Sequence, residues 1–84
     1  MNDSRVKVTV YSRPGCHLCD EALDQIKVIA REGAVSGIEV IDIEGDDDLI
    51  RRYLERIPVV MVDGEVVSEL VFDPATLRTR LGSA

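Results

Sequence analysis

Two cysteines stand three positions apart in the segment RPGCHLCDEAL, residues 13–23, and the chain contains no others. Thiols at this spacing fit three kinds of chemistry: a redox couple, half of a metal site, or a structural disulfide. Cys16 and Cys19 can close a disulfide if they open a helix, because residues i and i+3 are neighbours on its surface. Which of the three applies depends on the elements around the pair.

The composition limits the compartment and the partners of the protein. The chain has 84 residues and a net charge of −6, and its Lys and Arg residues are scattered. This balance argues against nucleic-acid binding, which requires a basic surface. No apolar run reaches the roughly 18 residues that span a bilayer, and no signal segment is visible. We therefore expect one domain, residues 1–84, acting in the cytoplasm as a monomer without a membrane partner. Because cytoplasmic thiols are kept reduced, a permanent structural disulfide is the weakest alternative.

The first half of the chain predicts a strand, a helix and a second strand. Alternating valines over residues 6–10 have the period of a strand. A helical pattern follows over residues 16–32. Its predicted apolar face consists of Leu18, Ala22, Ile26 and Ile29. The second strand is expected over residues 38–43, where β-branched side chains predominate.

Two further helices are predicted from their capping residues. Asp46 is placed to cap the second helix, because its side chain can accept hydrogen bonds from the first free N–H groups. The apolar side of this helix is predicted to be Ile50, Tyr53 and Leu54. Asp73 followed by Pro74 marks the start of a third helix. Its buried face is predicted to be Leu77 and Leu81.

A hairpin completes the fold. Residues 59–62 and 65–67 flank Asp63-Gly64, a pair that favours a type I′ turn between two strands. A strand–helix–strand unit implies a parallel pair, and the hairpin adds antiparallel strands. The sequence therefore predicts an α/β fold of order βαβαββα, with a four-stranded mixed sheet and helices on both faces.

The predicted elements favour the redox couple. Cys16 falls between the first strand and the first helix, where open α/β sheets place functional residues. A helix N-terminus stabilises a thiolate, which predicts a Cys16 pKa below that of a free thiol. Arg13 can add positive charge, and Cys19 lies one turn further on the buried side. Cys16 is thus the expected attacking thiol and Cys19 the resolving thiol.

The metal alternative lacks ligands within the chain. A structural zinc site needs four, and the sequence offers two cysteines and one histidine, His17. We therefore predict no metal site and no cofactor. A metal or iron–sulfur module that uses Cys16 together with a partner chain remains an alternative, as does a redox-inert partner-binding domain.

A proline opens the third predicted strand and gives a second candidate site. Pro58 cannot donate to a sheet ladder, so it is either a plain trans residue at the strand entry or a cis residue in a tight turn. A cis bond would leave the neighbouring backbone free to pair with an incoming chain. We take Ile57, Pro58, Arg13 and His17 as candidate substrate-binding residues.

The segments VTVYSRPGCHLCDEAL and RIPVVMVDGEVV resemble the glutaredoxin and thioredoxin superfamily, and in particular the small bacterial glutaredoxin-like proteins. The resemblance covers roughly residues 6–81. It implies that Cys16 is the nucleophile, that Cys19 resolves the mixed disulfide and that Pro58 is cis. It also matches Arg13 to a basic residue three positions before the first cysteine. The implied activity is reduction of disulfides in proteins or small molecules, with a thiol or a flavoenzyme as reductant.

Two departures from the glutaredoxin pattern bear on the reductant. His17-Leu18 stands where glutaredoxins typically have Pro-Tyr. Ser68-Glu69 stands where they carry a glycine pair whose backbone helps to bind glutathione. A side chain at Ser68 is expected to crowd that contact, and Glu69 is expected to repel the carboxylates of glutathione. The sequence therefore argues against glutathione as the reductant.

Overall fold

The elements of the structure, a computed structural model, follow the predicted order. The structure describes residues 5–82, so the ends of the predicted domain, residues 1–4 and 83–84, lie outside the described part of the chain. The described elements are β1 Val6–Ser12, α1 His17–Ala30, β2 Val35–Asp42, a 3₁₀ turn Ile43–Gly45, α2 Asp47–Tyr53, β3 Val59–Val62, β4 Glu65–Ser68 and α3 Pro74–Gly82. No helix within residues 5–82 has the length and hydropathy needed to cross a membrane.

The four strands form the mixed sheet that the sequence predicts, in the order β2-β1-β3-β4. β1 is parallel to β2, as the crossover through α1 requires, and antiparallel to β3. β3 pairs antiparallel with β4. Because β1 and β3 run in opposite directions, the end of β1 lies beside the start of β3, where Tyr11 pairs with Val59. The start of α1 is therefore held close to the start of β3.

One face of the sheet packs against α1 and α3. Val8 and Val10 of β1 point to this face, because residues two apart in a strand share a side. We call the buried residues on this side the core cluster: Val8, Val10, Ala22, Ile26, Ile29, Val35, Val60, Val62, Phe72 and Leu77. Each large side chain contributes roughly 1.5–3 kcal/mol through burial. This face supplies the apolar packing that the fold requires.

A second cluster lies where α2 and the 3₁₀ turn pack against the other face, so helices cover both faces as predicted. We call it the site cluster: Cys19, Ile43, Tyr53, Ile57 and Val59 are buried in it, and Tyr11, Cys16, Leu49, Ile50 and Met61 pack around them. The Tyr11 and Tyr53 rings are stacked, with centroids 4.4 Å apart. Both cysteines therefore belong to this cluster.

The predicted caps and turn are confirmed. The Oδ1 atom of Asp46 accepts hydrogen bonds from the backbone N–H groups of Asp48 and Leu49, at 2.8 and 3.3 Å. Asp63 and Gly64 have positive φ angles of 52° and 83°, as a type I′ turn requires. These local signals therefore fix the start of α2 and the turn of the hairpin.

At α3, Asp73 acts as the predicted cap. Its Oδ2 atom accepts a hydrogen bond from the Thr76 hydroxyl at 2.8 Å, and its Oδ1 atom accepts one from the Ala75 N–H at 3.0 Å. The bond from Thr76, followed by that from Ala75, lowers the pKa of the Asp73 carboxyl.

An exposed ion pair joins the end of α1 to α3. Arg78 Nη2 lies 2.6 Å from Glu32 Oε2, and Nε donates to Oε1 at 3.4 Å. This contact lowers the pKa of Glu32 and raises that of Arg78. Because both side chains are about half exposed, solvent screens the pair.

The structure corrects three details of the predicted elements. Leu18 is 45% exposed, because the buried stripe of α1 begins at Cys19, about 100° further round the helix. β2 starts at Val35 rather than residue 38, since a register shift near Gly37 interrupts the alternation of side chains. Leu54 lies beyond the end of α2 and is also exposed.

Candidate active site

A tight turn delivers Cys16 to the start of α1. The Cys16 N–H donates to the carbonyl of Arg13 at 3.3 Å, across Pro14 and Gly15. Gly15 has a φ of +77°, which glycine adopts without strain, and the Pro-Gly order is that of a type II turn. The residues between β1 and α1 thus place Cys16 at the N-cap position of the helix.

The two cysteines are joined in a disulfide across the first turn of α1. Their Cα atoms lie 5.2 Å apart, within the usual range for such a bond. The Cys16 Sγ atom also accepts a hydrogen bond from the Cys19 N–H at 3.2 Å, so the sulfur takes the place of a capping oxygen. Cys16 is partly exposed and Cys19 is 1% exposed. Only the first sulfur faces a position that a substrate can approach.

The loop before β3 forms the other side of the site. The Ile57–Pro58 peptide bond is cis, which confirms that prediction. Ile57 packs in the site cluster with both cysteines, and Pro58 is fully buried next to it. The Ile57 N–H donates to the Tyr53 carbonyl at 2.9 Å. The Ile57 N–H group is therefore already bonded within the protein. The sequence predicts instead that the backbone beside a cis Pro58 is free to pair with an incoming chain.

Arg13 and His17 flank the disulfide on the surface. Arg13 Nη2 lies 3.5 Å from Glu44 Oε1, so its charge is shared with a carboxylate of the 3₁₀ turn. This pairing weakens the electrostatic support for Cys16 that the sequence predicts. His17 is the first residue of α1 and is exposed. The structure thus brings Cys16, Cys19, Ile57 and Pro58 together, with the other two candidates at the rim.

The Ser68-Glu69 pair behaves differently from the sequence-based expectation. Ser68 is buried, and its hydroxyl accepts from the Asp73 N–H at 3.2 Å and donates to the Val71 carbonyl at 3.5 Å. Its side chain is engaged within its own loop. Glu69 forms an ion pair with Arg56 at 2.6 Å, so its charge is neutralised rather than bare. Sequence reasoning missed Arg56, because no local pattern links residues thirteen positions apart.

No group of three or more His, Cys, Asp or Glu side chains among residues 5–82 is arranged to hold a metal ion. The described site presents two cysteine sulfurs at a helix start. One sulfur is accessible, and the other is sheltered one turn away.

Comparison with known families gives one match to a family model. Residues 7–82 match the model described as Glutaredoxin-like domain, which is nearly the whole of the chain. Among curated proteins no sequence matches.

Solved structures give close matches in fold. A protein from Nitrosomonas europaea, solved by NMR, is 30% identical with a TM-score of 0.80, over 95% of this chain and 98% of that one. An X-ray structure from X. campestris is 35% identical with a TM-score of 0.73, over 92% and 97%. Thioredoxin 1 from Thermosipho africanus, at 20% identity and a TM-score of 0.60 over 92% and 96%, shares the fold. The predicted thioredoxin-like architecture is thereby confirmed.

Proposed function

This chain belongs to the glutaredoxin-like family, and on that premise we propose that it is a thiol–disulfide oxidoreductase. One observation carries the proposal. Cys16 and Cys19 form a disulfide at the start of α1, with the first sulfur accessible and the second buried against Ile57. An accessible thiol beside a sheltered one is the arrangement that two-step thiol–disulfide exchange uses.

The reaction proceeds in two exchanges. The Cys16 thiolate attacks one sulfur of a substrate disulfide, so a mixed disulfide forms and the first thiolate leaves. The Cys19 thiolate then attacks Cys16 Sγ, which releases the second thiolate and closes the Cys16–Cys19 bond. The substrate gains two electrons, and the protons of the two cysteines pass to the two leaving thiolates. A thiol or a flavoenzyme returns the electrons to the protein.

The remaining candidates have supporting roles in this proposal. The Cys19 N–H and the α1 N-terminus stabilise negative charge on Cys16. Ile57 and Pro58, which are buried beside the cysteines, support the surface on which the substrate chain lies, and Arg13 and His17 contact the flanking residues of that chain. We place the activity in the reducing cytoplasm, with a disulfide-bonded protein as substrate and the chain acting as a monomer.

A reduction assay with Cys16→Ser tests the proposal. The wild-type protein, supplied with a dithiol, is expected to reduce the uncharged hydroxyethyl disulfide, and Cys16→Ser is expected to lose the catalysed rate. Thr79→Ser, a conservative change on the exposed surface of α3, serves as control. Equal rates for the Cys16→Ser variant and the wild type would contradict the proposal.

The reductant is expected to be a flavoenzyme of the thioredoxin-reductase type rather than glutathione. Ser68-Glu69 stands where glutaredoxins carry a glycine pair, and the net charge of −6 disfavours an anionic tripeptide. Loss of one backbone hydrogen bond costs about 1 kcal/mol, or about fivefold in affinity. Reduction of the oxidised protein by each donor, at matched reducing capacity, should favour the flavoenzyme. A clear preference for glutathione would refute this choice.

A further inference from the structure

Arg56 and Glu69 form a close ion pair, and the Arg56 guanidinium carbon lies 5.4 Å from the ring centroid of Tyr53, a residue of the site cluster. Arg56 Nε donates to Glu69 Oε2 at 2.8 Å, and Nη2 lies 2.6 Å from the same oxygen. The third nitrogen, Nη1, is 3.5 Å from the Arg52 carbonyl. The two side chains are 44% and 43% exposed, so solutes can reach the pair. Glu69 therefore occupies the guanidinium edge that would otherwise bind a carboxylate in a bidentate manner.

The position of this pair relates it to the disulfide. Arg56 precedes Ile57, which packs with Cys16 and Cys19 in the site cluster. The Arg56 carbonyl accepts a hydrogen bond from the Leu70 N–H at 2.8 Å, which joins the loop before β3 to the loop after β4. Arg56 and Glu69 therefore stand where two loops meet, and their side chains join the same two loops through the ion pair.

We propose that the Arg56–Glu69 pair determines which charge the site accepts on a disulfide or thiol. This inference rests on the proposed function. With Glu69 in place the guanidinium is neutralised, so a substrate carboxylate finds no free cation and must displace an intramolecular partner. Arg13, the other arginine beside the thiols, is likewise paired, with Glu44. Neutral and cationic disulfides are therefore accepted in preference to anionic ones.

The substitution Glu69→Gln tests whether Arg56, once freed from its partner, attracts a substrate carboxylate. Glutamine removes the negative charge and frees the guanidinium, which can then pair with a carboxylate of the substrate. An exposed ion pair contributes little to binding, so selectivity should change about threefold, which corresponds to about 0.65 kcal/mol. The change should shrink at high salt, because the interacting charges are exposed.

The test uses two disulfides of similar size. Reduced protein is mixed with hydroxyethyl disulfide, which is uncharged, or with 3,3′-dithiodipropionate, which carries a carboxylate at each end. The ratio of the anionic to the neutral rate constant is expected to rise about threefold in Glu69→Gln. Glu65→Gln is the matched control, because Glu65 lies at the other end of β4 and pairs with Arg80. It should leave the ratio near that of the wild type.

The double variant Arg56→Gln/Glu69→Gln tests the guanidinium itself and has the same net charge as the wild type. Its ratio is expected to return to the wild-type value or below. Equal rises in Glu69→Gln and Glu65→Gln would overturn the proposal, since net charge alone would explain them. An unchanged ratio in Glu69→Gln would overturn it as well.

An alkylation assay keeps the inference separable from the proposed function. Iodoacetate and iodoacetamide differ by one charge and require only a reduced Cys16 thiol. The ratio of the iodoacetate rate constant to the iodoacetamide rate constant should rise in Glu69→Gln and not in Glu65→Gln. This holds even if the protein reduces neither disulfide. Failure of both disulfides would count against the oxidoreductase proposal, whereas an unchanged alkylation ratio would count against the role of Arg56 and Glu69.

Discussion

The core cluster and the site cluster lie on opposite faces of one sheet and are built differently. The core cluster contains only aliphatic side chains and Phe72, most of them contributed by regular helices and strands. The site cluster contains the Cys16–Cys19 disulfide, a stacked tyrosine pair and residues from the 3₁₀ turn and the loop before β3. Alternate residues of β3 serve the two sides, since Val60 and Val62 enter the first cluster and Val59 the second.

The two clusters divide the stability of the fold from the chemistry of the cysteines. Regular elements bury side chains at the periods of helices and strands, and the resulting packing holds the sheet together. Irregular segments bring residues distant in sequence to the end of the sheet, where Cys16 is partly exposed and Cys19 is buried. Changes in the two clusters should therefore have separable effects on stability and on thiol reactivity.

The largest expected effect concerns the resolving thiol. In Cys19→Ser the mixed disulfide formed at Cys16 has no internal thiol to release it, so adducts should accumulate to nearly one per chain. Mass spectrometry after incubation with hydroxyethyl disulfide measures the adduct. The wild type, as control, should show almost none. Absence of an adduct in Cys19→Ser would break the assignment of roles within the site cluster.

Matched substitutions of one buried isoleucine in each cluster test whether the two clusters act separately. Ile26 and Ile43 are both fully buried, the first in the core cluster and the second beside Cys19 in the site cluster. Each change to valine should lower the free energy of unfolding by about 1 kcal/mol. Only Ile43→Val should accelerate iodoacetamide labelling of Cys19 in the reduced protein, because it loosens packing around that thiol. Equally fast labelling of Cys19 in Ile26→Val would show that the two clusters do not act separately on the thiol.

The smallest expected effect is the acid sensitivity of the α1–α3 side. The pKa values of Asp73 and Glu32 are lowered in the folded protein. Their contributions to stability are therefore present above the ordinary carboxyl pKa and are lost as the pH falls below about 4. Asp73→Asn keeps an oxygen acceptor but does not titrate. Its urea midpoint should fall less than that of the wild type between about pH 7 and pH 3. Equal falls of the urea midpoint in Asp73→Asn and the wild type would show that titration of Asp73 does not affect stability.

Most of the fold could be predicted from the sequence, because its signals are local. Asp46, Asp73 and Asp63-Gly64 act within three residues of themselves, so caps and turn are readable without tertiary contacts. The start of β2 was not readable, since it depends on pairing of Val35 with Val6. The prediction that Leu18 is buried is wrong, because an apolar residue in the first turn of α1 can lie beside the buried face of the helix as well as on it.

The site was predictable only where residues carry their own chemical signature. Two cysteines at a helix start and a proline before a buried strand gave Cys16, Cys19 and Pro58. The partners of Arg13 and Glu69 could not be predicted, because Glu44 and Arg56 approach them only after the loops fold together. Exposed ion pairs of this kind leave no periodic trace in a sequence.

The most direct test of the redox assignment is a single turnover of the reduced protein. Reduced wild type is mixed with an equimolar amount of hydroxyethyl disulfide, quenched in acid and analysed for intact mass and free thiols. We expect a protein that is two hydrogens lighter and has no free thiols, and we expect both halves of the disulfide to be released as thiols. A protein that keeps both cysteine thiols, or one that stops at a stable mixed disulfide, would contradict it.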